Sequence, residues 1–164
     1  MSPEWSYFWP VAALALLCGA LAGLPWFRRN SRRALAIGIA VTFSGAALWH
    51  WPLGAADRLV AAIEPPARAV LVDWEMGHIE GRLARGPLTR KLILSGPADR
   101  FQREQLVLMM STLPGVSAAT WAPKRSGTPL ILESAFVATV GFLLGLLLAY
   151  GVELRRRHNA QWKW

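Results

Sequence analysis

Three long apolar runs, the first two joined by a short arginine-rich turn, constrain this chain more than any other feature. The first run covers roughly Tyr7–Phe27, the second roughly Ala34–Trp51 and the third roughly Leu130–Tyr150. A helix crosses the hydrocarbon of a bilayer with about 20 predominantly apolar residues, and about 17 is the lower limit. Each run therefore reads as a transmembrane span. Only 17% of the 164 residues are charged, against about 25% in an ordinary soluble domain. That deficit is concentrated in the three runs.

Aromatic residues bracket the runs where a membrane–water interface would lie. Trp9 and Trp26 flank the first, Trp49 and Trp51 close the second around His50, and Tyr150 closes the third. These five are the expected interface anchors. Trp162 and Trp164 are expected to touch the interface beside Tyr150. Pro10 suits a first turn, Pro25 reads as the end of the first helix, and Pro52 as the end of the second.

The formal charge is +8, a value that could suggest nucleic acid. Its distribution points elsewhere. Arg28, Arg29, Arg32 and Arg33 lie between two spans, and Arg155, Arg156 and Arg157 follow the third. Arginines beside spans set topology, because they stay on the cytoplasmic side. The expected arrangement is a bacterial inner-membrane protein. Its hairpin and C-terminus are cytoplasmic, and its N-terminus and residues 52–128 are periplasmic. No nucleic-acid partner is expected.

Cys18 is the single cysteine. It allows no intramolecular disulfide and no cysteine-based zinc site, and reads as a small buried group. Leu17 is too bulky for a lipoprotein cleavage site, and the segment before the run carries Glu4 and no Lys or Arg. An uncleaved first span is expected.

Small residues recur at four-residue spacing: Gly19 and Gly23, Ala34 and Gly38, and Gly141, Gly145 and Ala149. Such spacing lets helix backbones approach closely, although glycine is common in membrane helices generally. Gly19, Gly23, Gly38, Gly141, Gly145 and Ala149 are the candidate helix-packing residues. Glu133 is the one acidic residue inside the third run. It is about one turn from the start, so it reads as an interfacial or partner-contact residue ahead of an ion or proton site.

Between the second and third spans lies a polar segment. Residues 54–64 pattern as a helix that Pro65 and Pro66 stop. The pattern is then patchy to Leu83. Arg90–Leu94 read as a strand ending at Ser95, Gly96 and Pro97. Asp99 can cap a helix running to about Leu113, with apolar positions Phe101, Leu106, Met109, Met110 and Leu113. Pro114 and Gly115 break it, and Val116–Trp121 read as a closing strand. A core of this size is marginal for a free domain.

The segment Leu92-Ile-Leu-Ser-Gly-Pro-Ala-Asp-Arg-Phe, followed by a helix and then Leu113-Pro-Gly-Val116, resembles a BON domain. In that family a strand ends in a glycine before a polar turn, a helix follows, and a Gly-Val pair opens the last strand. Gly96 matches the first glycine, and Gly115 and Val116 match the pair. The variants in membrane-anchored OmpA-like envelope proteins of alphaproteobacteria are the most similar, including Trp74 ahead of the first strand. The resemblance covers at most residues 55–121, and Gly81–Thr89 departs from it as longer and less regular than a tight hairpin. It implies binding or scaffolding at membranes, with phospholipid contact in some members, and no catalysis. Arg82, Arg85, Arg100 and Trp121 join Glu133 as candidate partner or lipid contacts, beside Arg90, Lys91 and Arg103. An ordinary solvated surface is the simpler reading of these charges.

His50, His78 and His158 fall in the end of the second span, the polar segment and the C-terminal tail, so they cannot share one metal. There is no nucleophile motif, phosphate-binding glycine loop, CxxC or haem motif, and neither enzyme activity nor a cofactor is expected. The expected fold class is an α-helical membrane protein with three transmembrane helices and a small α+β, BON-like extramembrane domain between helices 2 and 3. Its parts are a two-helix hairpin (1–53), a periplasmic domain (54–128), a third span (129–151) and a basic tail (152–164). The expected function is a non-catalytic accessory, assembly or stabilising subunit of a larger membrane complex, photosynthetic or respiratory. A self-standing envelope-integrity or phospholipid-contact protein is the alternative, and a small transporter or channel component is third. The expected partners are membrane lipids and the subunits of that complex.

Overall fold

The computed structural model describes residues 2–121 and 127–161. The chain order is α1 (Pro3–Arg29), α2 (Arg32–His50), α3 (Ala55–Asp73), β1 (Glu80–Arg85), β2 (Leu88–Ser95), α4 (Arg100–Ser111), β3 (Ala118–Thr120) and α5 (Leu130–Gln161). Three of these helices, α1, α2 and α5, are long and apolar enough to cross a membrane, which is compatible with a multi-pass membrane protein. The chain divides into two compact units. One comprises residues 8–53 and 134–164, and the other residues 1–7 and 54–133.

The first unit is a bundle of α1, α2 and α5. Pro10 does not lie in the first turn of α1, which begins at Pro3, and Pro25 does not close the helix, which continues to Arg29. The stop comes from Asn30, which sits at φ 50 and donates its N–H to the Trp26 carbonyl at 2.8 Å. Asparagine tolerates this left-handed position better than most residues, and the bond satisfies a carbonyl in the last turn. Ser31 then caps α2, its hydroxyl accepting from the Ala34 N–H. The α1–α2 turn is therefore two residues long, and the two helices run antiparallel. Gly45 lies against Leu14, while Gly38 lies against Ala22 and Cys18. By contrast, α5 runs parallel to α1: Gly141 meets Ala12 and Ala15, and Gly145 meets Leu16 and Ala20. The bundle core is small and close-packed, built from Val11, Ala15, Ala22, Ala46, Ala138 and Phe142, with Cys18, Leu35, Trp49 and Leu146 against it.

The α5 helix does not end near Tyr150. It continues to Gln161, so the described part of the expected basic tail is helical. Glu153, Arg156 and Arg157 lie at three- and four-residue spacing, where ion pairs support a helix. The positions of Trp162 and Trp164 lie outside the described residues.

The second unit contains a three-stranded sheet of order β1-β2-β3. The β1–β2 pair is antiparallel and the β2–β3 pair is parallel, so α4 is the crossover between β2 and β3. Its core combines Ala55, Leu59, Ile63, Ala67 and Leu71 of α3 with Leu83, Leu92, Leu94, Leu106 and Met110. The α3 residues recur every four positions straight across Pro65 and Pro66, which do not stop the helix. The carbonyls those prolines leave without donors belong to Ala61 and Ala62. Both residues face solvent, where water can serve them. The helix runs on to Asp73 and stops in a Schellman-type turn. Glu75 sits at φ 58, its N–H donates to Val72 O, and the Met76 N–H donates to Leu71 O.

The irregular Gly81–Thr89 stretch is a tight hairpin, with Gly86 and Pro87 alone between β1 and β2. The register shifts between Leu83 and Arg85, and the Leu83 N–H donates to Glu64 of α3 at 3.0 Å. Asp99 caps α4 in a reciprocal capping box with Gln102.

Candidate functional site

Within the bundle, the candidate packing glycines sit where α1 meets its neighbours. A Cβ on Gly19 would strike the Phe142 carbonyl, and one on Gly145 would strike the Leu16 carbonyl. A Cβ on Gly141 would lie 2.9 Å from Ala12 O, and one on Gly23 would lie 2.6 Å from the Ala149 methyl. Gly38 faces the other neighbour, and a Cβ there would lie 2.5 Å from the Ala22 methyl. At all five positions backbone or short side chains fill the space a larger residue would need, which permits close backbone approach.

One end of the bundle is tied by charge. The carboxylate of Glu153, 4% exposed, meets Arg28 Nε at 3.2 Å, Arg157 Nε at 3.2 Å and Arg156 Nε at 3.3 Å. Arg157 also donates to the Phe27 carbonyl at 3.0 Å, and the rings of Phe27 and Tyr150 meet edge to face at 5.4 Å. Three arginines read from the sequence as topology determinants are therefore also structural, and their shared partner, Glu153, escaped the sequence reading. The signal was present in its spacing to Arg156 and Arg157. Arg29, Arg32, Arg33 and Arg155 are exposed instead. Trp26, at this charged end, is partly buried; at the opposite end Trp9 and Trp51 are 61% and 68% exposed, while Trp49 is partly buried. His50 is buried, its ring 5.2 Å from that of Trp51.

In the polar unit, each candidate contact has an internal partner. Glu133 accepts from Arg90 Nε at 2.7 Å, with both side chains about three-quarters buried, and this pair ties β2 to the start of α5. Arg82 pairs with Glu80, Arg85 with Glu64 and Arg100 with Glu104. Trp121 Nε1 donates to Arg103 O at 3.1 Å, and the Arg103 guanidinium lies 5.2 Å from the Trp121 ring centre.

Two surface features of this unit were not apparent in the sequence. A cleft of about 400 Å³ is lined by Glu64, Arg68, His78, Glu80, Arg82 and Arg85 among others. Large apolar side chains also stand in solvent: Val72 and Trp74 at the end of α3, and Phe101 and Leu108 on α4, each more than half exposed. Phe101 and Leu108 are seven residues apart and so share one helix face. This arrangement can hold a surface. Among the described residues no group of three or more His, Cys, Asp or Glu is placed to hold a metal.

The chain matches no protein-family model, no curated protein and no solved structure.

Proposed function

We propose that this chain is a non-catalytic accessory subunit of a larger bacterial inner-membrane complex. The bundle spans the bilayer, with the α1–α2 turn and the end of α5 in the cytoplasm and the polar unit in the periplasm. The observation that carries the docking role is the exposed apolar face of α4 on the polar unit, Phe101 and Leu108, with Val72 and Trp74 also exposed at the end of α3. Lipid explains exposed leucines on a membrane helix, but it does not explain them on a domain outside the bilayer. Apolar patches of this kind mark contact sites, and aromatic residues are favoured anchors at such contacts. A photosynthetic or respiratory assembly is a suitable host.

The polar unit is read as BON-like. Two observations support that: Gly96 and Gly115, the glycines of the motif, adopt φ 135 and φ 90. A Cβ would lie 2.8 Å from His78 O at the first and 2.8 Å from Ile63 Cδ1 at the second. The alternative, a self-standing phospholipid-contact protein, is favoured by the cleft, where Arg68 and His78 form no ion pair among the described residues.

Mass spectrometry of what co-purifies after mild detergent extraction from native membranes separates the two readings. One large complex at fixed stoichiometry supports the subunit role, and its loss in a Phe101→Ser/Leu108→Ser variant assigns the contact to α4. Recovery of the protein with lipid alone, across several detergents, sinks the subunit role.

A further inference from the structure

A groove of about 370 Å³ runs between α1 and α2, walled by Cys18, Leu21 and Ala22 on one side and Ala34, Ile37, Gly38 and Val41 on the other. Its size falls within the roughly 300–1,000 Å³ of ordinary ligand clefts. The bundle leaves it open because α2 packs least: 17% of its most apolar stretch is buried, against 33% for α1 and 28% for α5.

The groove ends in unneutralised charge. Arg28 is taken by Glu153, but Arg29, Arg32 and Arg33 are exposed and form no side-chain ion pair among the described residues. Helical periodicity sorts these three. Arg29 lies seven residues after Ala22, and so on the groove face of α1. Arg33 lies four residues before Ile37, and so on the groove flank of α2. Arg32 lies about 160° to 200° around the helix from Ala34 and points away.

We propose that this groove binds one anionic glycerophospholipid. Its phosphate is held between Arg29 and Arg33, and one acyl chain descends along Ala34, Ile37 and Val41. The span from Arg33 to Val41 is about 12 Å at 1.5 Å per residue, room for the upper part of an acyl chain. Guanidinium forks suit phosphate oxygens, and basic pockets between membrane helices on the cytoplasmic side bind acidic headgroups. The proposal rests on the bundle residing in a bilayer and needs no host complex, so it and the co-purification result fail independently.

The test is native mass spectrometry of the full chain released from nanodiscs of equal phosphatidylglycerol and phosphatidylcholine. The expected result is one retained phosphatidylglycerol. Arg29→Gln and Arg33→Gln each lower the ratio of retained phosphatidylglycerol to phosphatidylcholine roughly fivefold, while Arg32→Gln leaves it unchanged. Ala34→Leu fills the groove without touching charge and abolishes retention. Ala36→Leu, on the far side of α2, leaves retention intact. If Ala34→Leu is recovered unfolded, Ile37→Ala, which removes an exposed wall, is expected to lower retention in its place. Equal losses from all three arginine variants would reduce the effect to general charge attraction and overturn the proposal. Unchanged retention in a folded Ala34→Leu, or in Ile37→Ala where that variant replaces it, would overturn it too, as would wild type that keeps no lipid.

Discussion

Gly145→Ala tests the parallel α1–α5 seam most directly. The added methyl would strike the Leu16 carbonyl and lie 2.7 Å from Ala20 N and 2.9 Å from Gly19 Cα. All three are backbone atoms of α1, so no side chain can swing aside. Ordinary contact lies at about 3.5–4.0 Å, so α5 must retreat by about 1 Å, and a gap of about 0.5–1 Å forfeits a quarter to a half of each dispersion contact along the seam. Overpacking of this kind costs about 1–3 kcal/mol. A control is available on the same helix. Gly151 has nothing within 4 Å of a built Cβ, so Gly151→Ala makes the same chemical change, with the same gain of about 1 kcal/mol in helix propensity, and no collision. The difference between the two variants therefore isolates the seam at about 1–3 kcal/mol. The assay is denaturation of the detergent-solubilised chain by titrated dodecyl sulfate, followed by tryptophan fluorescence. Equal midpoints for the two variants would refute the seam.

Other outcomes follow from the same structure. Gly115→Ala in the polar unit meets both a positive φ and Ile63 and is expected to destabilise by about 1–2 kcal/mol, measured by thermal denaturation of the full chain. Asp99→Ala removes the α4 capping box at a cost of about 1 kcal/mol, read by the same melt and by faster amide exchange in the first turn of α4. A double-mutant cycle of Arg90→Ala and Glu133→Gln should return a coupling of about 1–2 kcal/mol, below a fully buried pair because both side chains are partly exposed. Additive effects there would mean the pair contributes nothing.

Strong local signals made much of this architecture legible from the residues. The three long apolar helices, the strand through Leu92 and Leu94, and the helix after Asp99 each declare themselves by hydropathy, period or cap. Proline misled at Pro10, at Pro25 and at Pro65–Pro66. Its local penalty is real, but at α3 a buried row at four-residue spacing outweighs it, and the orphaned carbonyls belong to exposed residues. The actual stops are left-handed residues, Asn30 and Glu75, whose φ values no composition rule exposes. The hairpin at Gly86–Pro87 was obscured because its flanking strands carry arginines on the exposed positions. The link from Glu153 to Arg28 was hidden by distance, since the two are 125 residues apart in the chain and only the parallel packing of α5 brings them together.

That separation has a consequence in time. Chains emerge at roughly 5–20 residues per second, so about 6–25 s pass between synthesis of Arg28 and synthesis of Glu153. Throughout that interval the face of α1 carrying Gly19 and Gly23 waits without its final neighbour, and the newborn hairpin needs temporary shelter from other small-faced helices. A photo-crosslinker at Gly23 in ribosome-stalled chains that end before α5 should capture insertion machinery, and the adduct should vanish once α5 has emerged. An adduct that persists in the finished chain would show that α5 does not displace the guardian.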